Sequence, residues 1–342
     1  MFRALPALLL LAAAPVTVAR LLGGAAHSPL PQLASFAPLV LPLALAAAVL
    51  AVLGRRWVLT AAGFSLLVLH LIWAAPTLVV EPDAAGDAAP KGRPQVRVLS
   101  INAEIGQADP AAIVRIVRGR GIDVLVVPEL TPELVTGLSE AGLGELLQPV
   151  SLMPARFSAN GTGIWSRLPA QALPALPGTV HAMPRIRLRL PGGTAGTATG
   201  TGSSSSSGEV TVTLTAVHTQ SPIPGRVRAW RDDLAAVRSA LQGGSGPQVA
   251  VGDFNATRDH APFRVLVDGS TRGADGAIAD AAEARGFAAW PGFTWPANAG
   301  LPALVRIDHL LFSRSSVRVT GLDVVDVPRT DHRGLVVTMV FS

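Results

Sequence analysis

Cysteine is absent from the 342 residues. Disulfides, zinc–thiolate sites and a cysteine nucleophile are thereby excluded, and a chain without thiols suits an oxidising compartment. Tyrosine is absent too, and Lys91 is the only lysine amid abundant Ala and Arg, a bias that fits a high-GC bacterial genome rather than a function. A further absence is local. Residues 1–80 hold no Asp or Glu, and their only cations are Arg3, Arg20, Arg55 and Arg56. All 23 acidic residues therefore fall after residue 80, together with 24 of the 28 basic ones, so the downstream part is nearly neutral although the whole chain carries +5. The overall basicity is not a nucleic-acid footprint on that part, although local Arg clusters remain able to bind phosphate.

Three apolar runs fill the acid-free region, about Leu5–Leu22, Ser35–Leu53 and Trp57–Val80. A bilayer-spanning helix needs about 20 apolar residues, which the second and third runs supply. The first is interrupted by Pro6 and Pro15 and has Arg20 near its end. It reads as a retained helix or as a secretory signal peptide; the two spans that follow closely, with no evident small-residue cleavage site, favour the helix. Arg55 and Arg56 mark the turn between the second and third runs as cytoplasmic, and Arg3 puts the N-terminus on that side. Three crossings then place everything after Val80 outside, an order that Arg20 alone opposes. Trp57 and Trp73 stand near the ends of the third run, where aromatic rings favour the interface. The sequence thus predicts a multi-pass membrane protein with the lipid bilayer as partner: a transmembrane region over 1–80, a Pro/Ala/Gly linker over 81–94 (EPDAAGDAAPKGRP) and an extracytoplasmic domain over 95–342.

Strand and helix patterns alternate through that domain. Val96–Ile101 and Asp123–Val127 read as buried strands, and Asp123 begins or caps the second. Asp109-Pro110 and Thr131-Pro132 place an N-cap before a proline at the first helical position. Arg185–Leu190 and Val210–Val217 alternate as strands around a low-complexity hairpin tip, Gly192–Gly208. Pro224–Leu241 is an amphipathic helix with Val227, Trp230, Leu234, Val237 and Leu241 on its core face. Gln248–Val251, Val305–Phe312, Val317–Val325 and Leu335–Phe341 complete the strands. No repeat is visible. The mixture predicts an α/β fold of two sheets packed face to face with helices outside.

Polar residues suited to phosphate chemistry recur where these strands end: Asn102 and Glu104, Glu129, His218, Asp253 and Asn255, and Asp308. Asp331 and His332 instead precede the last strand. Loops at one edge of a rigid scaffold gather such groups around one mouth. Arg226 and Arg228 follow the His218 loop and either touch a phosphate or sit on a solvated helix face. Trp290, Phe293 and Trp295 either line an apolar acceptor site or pack the core.

The ordered series LSIN, PE, H, GDFN, IDH and TDH, spread over Val96–Ser342, resembles the endonuclease/exonuclease/phosphatase superfamily, which includes deoxyribonuclease I, apurinic endonucleases, neutral sphingomyelinases and inositol-polyphosphate phosphatases. The resemblance implies a four-layer α/β sandwich and a metal-dependent hydrolase of phosphate esters or anhydrides. It implies that Asn102 and Glu129 hold Mg²⁺ or Mn²⁺, with Glu104 and Asp331 as further acidic ligands. It makes His332 the base for the attacking water, oriented by Asp308, and leaves His309 structural. Asn255 and His218 would contact the phosphate, while Asp253 would position or activate water or protonate the leaving group. The missing tyrosine departs from the apurinic-endonuclease branch. The membrane region fused to this domain resembles bacterial proteins linked to vancomycin and teicoplanin resistance, which implies a phosphorylated, lipid-linked substrate such as a polyprenyl pyrophosphate. A nuclease or phosphodiesterase acting on DNA or RNA is the alternative, which an Arg patch around His218 and Arg258 would support; a sphingomyelinase-type lipid phosphodiesterase is another.

Overall fold

The computed structural model describes residues 4–78, 93–191, 209–268, 277–289, 291–297, 300 and 302–341. Most of the expected linker, the whole hairpin tip 192–208 and Trp290 lie outside the described residues.

Alternation at period two builds the core. In β1 (Gln95–Ser100) and β2 (Val124–Pro128), Val98, Val124 and Val126 face one way and Leu99, Leu125 and Val127 the other. Successive side chains on a strand point to opposite faces, so a strand apolar at every position must be covered on both sides. One face meets α5 (Pro110–Arg120) and α6 (Pro132–Glu140) through Ile113, Val117, Leu134 and Leu138. The other meets a second sheet through Leu214, Val251 and Leu310. Both helices start as expected: Asp109 accepts from Ala112 N–H at 3.0 Å and Thr131 from Leu134 N–H at 3.3 Å.

The first sheet also contains β3 (Gln148–Met153), β4 (Thr162–Ser166), β11 (Val317–Val325) and β12 (Gly334–Phe341), in the order β11-β12-β1-β2-β4-β3. The second comprises β5 (Ala170–Leu173), β6 (Arg185–Leu190), β7 (Val210–His218), β8 (Gln248–Asp253), β9 (Ile278–Asp280) and β10 (Asp308–Ser313), ordered β5-β6-β7-β8-β10-β9. Its outer face is covered by α7 (Val227–Gly243) and α8 (Ala261–Asp268) through Trp230, Val237 and Phe263. The four layers, helices–sheet–sheet–helices, match the expected fold class. Strand β10 begins at Asp308, later than expected, because Val305 instead bridges Trp295.

Register carries chemistry into this frame. Parallel β7 and β8 pair His218 with Asp253, and antiparallel β8 and β10 pair Asp253 with Asp308. Three polar residues therefore form one row across three adjacent strands. Gly252 stands beside this row with φ +147°, where a Cβ would collide with the Val217 carbonyl, so a glycine lets β7 and β8 approach.

Four α-helices precede the sheets: α1 (Leu5–Leu21), α2 (Leu30–Ser35), α3 (Val40–Leu53) and α4 (Trp57–Leu78). Among the described residues, α4 is the one helix long and apolar enough to cross a membrane; Leu5–Leu21 and Ala37–Leu53 are shorter apolar helices. The expected second span is not a continuous α-helix, because Ser35 ends α2 and Ala37–Leu39 forms a separate 3₁₀ turn containing Pro38. Leu11, Leu21, Leu53, Val58 and Ile72 are each more than 60% exposed, an apolar surface unusual for a water-facing helix bundle.

The connector between α1 and α3 docks onto the sheets. Gln32 Nε2 donates to the Pro222 carbonyl at 2.7 Å, and Ala261 N–H to the Gly23 carbonyl at 2.8 Å. His260 Nδ1 accepts from Thr257 N–H, so the ring hydrogen lies on Nε2 and is donated to the Pro31 carbonyl at 2.8 Å. Burial holds the His260 pKa down at about 4, consistent with that neutral ring. Arg20 pairs with Asp259 at 2.7 Å and lies over the Trp73 ring at 4.4 Å. The charge that opposed the expected topology is thus spent on the folded domain.

Candidate active site

Two sheet edges converge on one cleft. Asn102 and Glu129 follow β1 and β2, which run parallel and end together; His332 precedes β12, which is antiparallel to β1. The row His218–Asp253–Asp308 faces them from the second sheet. Asn102 Nδ2 joins the edges, donating to Glu129 Oε1 and to Asp253 Oδ2, each at 3.0 Å. Its Oδ1 accepts from Glu104 N–H at 3.0 Å, and Glu129 Oε2 accepts from Ile105 N–H at 2.8 Å. Glu104, Ile105, Glu129 and Asn255 all have positive φ, 46° to 57°. Such conformations cost energy for residues other than glycine and gather at functional sites.

His332 lies between carboxylates. Its Nδ1 bonds Asp308 Oδ2 at 2.9 Å, while Nε2 is 3.8 Å from Asp253 Oδ2 and 3.9 Å from Asp331 Oδ1. Burial disfavours the imidazolium, but Asp308, Asp253 and Asp331 outweigh it and push the pKa up to about 10. The Asp253 carboxyl is pushed up to about 7, by burial first and by Asp308 and Glu129, against the pull of His332. Burial also raises Glu129 against its hydrogen bonds from Asn102 and Ile105. His218, 2% exposed, stacks on His181 with centroids 4.2 Å apart; burial first, then His181 and His332, push its pKa far down, so it stays neutral. Asn255 N–H donates to Asp253 Oδ1 at 2.7 Å and its Nδ2 to the Thr219 carbonyl at 2.9 Å, fixing the GDFN loop.

The donor set fits a hard divalent cation. Glu129, Asp253 and Asp308 crowd together, and Asp308 Oδ1 is buried without a hydrogen-bond partner among the described residues. No three His, Asp or Glu side chains among the described residues form a closed metal cage. Mg²⁺ needs none, since it takes one or two carboxylates and leaves its other positions to water and substrate oxygens. Asn102 and Glu129 are the residues that would hold such an ion. Glu104 borders the same cavity; Asp331 stands at the mouth with Oδ2 accepting from Trp295 Nε1 at 2.9 Å.

The remaining expectations separate cleanly. His309 lies outside the cluster, its Nδ1 2.7 Å from Asp280 and its Nε2 3.0 Å from the Ala256 carbonyl, which braces the GDFN loop from below. Asp123 accepts from Arg97 N–H at 2.6 Å and pairs with Arg167, so it anchors the start of β2. Arg226 lines the cleft, whereas Arg228 is 93% exposed and pairs with Asp232. Arg258 is 14% exposed and held by Glu283 and Asp268, so it forms no patch with His218. Trp295 lines the cleft, and Phe293 faces a separate cavity against α4. His181 also lines the cleft but ends no apolar strand, so the pattern that found the others missed it, whereas Gln220, two residues past the end of β7, fits that pattern and was overlooked beside His218.

Carboxylates, imidazoles and amides gathered at the strand ends of two stacked mixed sheets define a metal-dependent hydrolase of phosphate esters. The chain belongs to the endonuclease/exonuclease/phosphatase family, whose profile matches residues 99–332. Solved structures similar in fold include an endonuclease/exonuclease/phosphatase from Bacteroides vulgatus, at 15% identity and TM-score 0.50, covering 72% of this chain and 99% of that one. D. rerio TDP2 complexed with single-strand DNA product is 15% identical with TM-score 0.50, covering 72% and 98%. The human Nocturnin catalytic domain with bound sulfate is 16% identical with TM-score 0.48, covering 73% and 96%. No curated protein matches the sequence.

Proposed function

We propose that this protein is a membrane-anchored, extracytoplasmic, Mg²⁺-dependent phosphoesterase that hydrolyses a lipid-linked phosphate or pyrophosphate of the cell envelope. The observation that carries the reading is the docking of the phosphate site against apolar helices whose outer surface is uncovered. At 22 residues, α4 is long enough for the hydrocarbon core. The contacts with the domain come from the α1–α3 connector, from Arg20 at the end of α1 and from the Trp73 end of α4, the end opposite Arg55 and Arg56. A cytoplasmic Arg55-Arg56 turn therefore puts the domain outside.

The chemistry follows from the residues. His332, oriented by Asp308, takes a proton from water, and the activated water attacks phosphorus while the bond to the bridging oxygen breaks. His218 is placed to donate to a nonbridging oxygen as negative charge grows, and Asn255, whose Nδ2 donates to the Thr219 carbonyl and to Asp253 Oδ2, would reach the phosphate by exchanging one of those bonds for it. A cation at Asn102 and Glu129 would polarise a phosphate oxygen and offset the carboxylate charge that otherwise keeps His332 protonated. Asp253, pushed up to about 7, is poised to give or take a proton near neutrality. A nuclease would use the same groups, but the engagement of Arg258 by Glu283 and Asp268 removes the cationic patch that reading needs.

The test uses the full chain in lipid nanodiscs with Mg²⁺, comparing phosphate release from a polyprenyl pyrophosphate with cleavage of plasmid DNA. Chelator and His332→Ala serve as controls. Lipid hydrolysis without DNA cleavage is the expected result. DNA cleavage alone makes the protein a tethered nuclease and overturns the proposal.

A further inference from the structure

The cleft is not closed by the sheets alone. A cavity of about 450 Å³ has Glu129, His218, Asp253, Asn255 and His332 on one side and Gln32, Ser35 and Phe36 on the other. These last three belong to the α1–α3 connector, some 200 residues away in sequence from the GDFN loop. They are held there by the Gln32–Pro222 and His260–Pro31 hydrogen bonds, and Ser35 Oγ donates to the Pro31 carbonyl at 3.1 Å. The wall is as fixed as the domain to which it docks.

Its chemistry differs from that of the floor. The rim carries Ile105 and Ile223, 44% and 42% exposed, beside the half-buried Phe36. Ile105 has φ 52°, a conformation that β-branched residues rarely adopt. Strain that leaves an isoleucine exposed at the mouth of a polar site needs a purpose beyond folding. Among the described lining residues Arg226 is the one Lys or Arg, too little for a polyanion. From Phe36 the chain passes directly into the 3₁₀ turn and α3, whose outer surface is apolar.

We propose that Gln32 and Phe36 are specificity-determining residues of the phosphate site, forming the wall along which the apolar chain of a lipid phosphate lies. The inference rests on the lipid reading above. The phosphate occupies the polar floor, and the chain leaves past Phe36 and Ile105 toward the bilayer. The connector thereby selects for a long apolar substituent, which the catalytic groups themselves cannot sense.

The test compares two pyrophosphates that share a head group, a long polyprenyl pyrophosphate and the five-carbon isopentenyl pyrophosphate, on the full chain in nanodiscs. Phe36→Ala and Gln32→Ala are each expected to lower the long-to-short ratio of kcat/KM by about tenfold, through a higher KM for the long substrate. Phe36→Leu, which keeps an apolar wall, is expected to hold the ratio within about twofold. If the wild type hydrolyses neither substrate, the lipid reading fails and takes this inference with it. If the wild type prefers the long chain but the Ala variants keep its ratio, the inference alone falls. A parallel loss on both substrates, the mark of a merely structural role, overturns it equally.

Discussion

Replacing Arg20 by Ala tests whether the helices are docked as described. Arg20 and Asp259 are 6% and 14% exposed and 2.7 Å apart, so the substitution leaves a buried carboxylate without its partner. Breaking a buried pair in this way costs about 3–5 kcal/mol. Arg258 and Arg264 also act on Asp259, which places the expected loss at the lower end. At about 2–4 °C per kcal/mol for a domain of this size, a loss near 3 kcal/mol lowers the melting temperature by roughly 6–12 °C. The pH dependence gives a second signature. Burial already raises the Asp259 carboxyl above its ordinary value despite the three arginines, and removing Arg20 raises it further. A group whose folded pKa is raised contributes stability that is complete below its unfolded pKa and is lost as pH rises through the folded pKa. The deficit of Arg20→Ala is therefore largest at neutral pH and above, and shrinks toward pH 4 as Asp259 takes up its proton. Adding Asp259→Asn should recover most of it. Tryptophan-fluorescence melts in nanodiscs between pH 4 and 8 provide the readout. A deficit below about 1 kcal/mol that is flat with pH would refute the docking of α1 on the catalytic domain.

Three further outcomes are expected. His332→Ala should reduce kcat by about 10²–10⁴ with the fold intact by circular dichroism, and retained turnover would remove His332 from the proton-transfer role. Mg²⁺ affinity should tighten by up to about tenfold per unit between pH 6 and 8 and release protons, because Asp253 and His332 bind protons in the metal-free site; calorimetry in buffers of different ionisation enthalpy detects this, and a pH-independent affinity refutes it. His309→Ala strands Asp280 and frees the Ala256 carbonyl, so it should destabilise the domain by about 3–5 kcal/mol in urea unfolding. A loss under about 1 kcal/mol would mean that His309 is not a brace.

The candidate site was more legible than its surroundings because strand order does the gathering. Asn102, Glu129, His218 and Asp253 each end an apolar strand, and parallel neighbours carry such ends to a common edge. Asp109 and Thr131 announced their helices by a local hydrogen bond that sequence alone specifies. The misses have physical causes. Strand β3 contains Pro149 and no fully buried residue, as an edge strand can, and β4 is five residues buried throughout, too short to show a period. The apolar run 35–53 hid a break, because hydropathy is blind to the turn that contains Pro38. His181 from a loop, Gln32 from α2 and Phe36 from just past that helix reach the cleft through distant contacts, and nothing local in the sequence marks such placement.

The row His218–Asp253–Asp308 has an evolutionary consequence. A strand register shifts by whole residues, and a slip of one turns every side chain to the opposite face. An insertion or deletion within β8 would therefore take Asp253 out of line with both neighbours at once, and the buried core that enforces the register opposes it. The connector, the Ile105 turn and the Ile223 loop lie outside that register, so a change of length there leaves the row itself aligned.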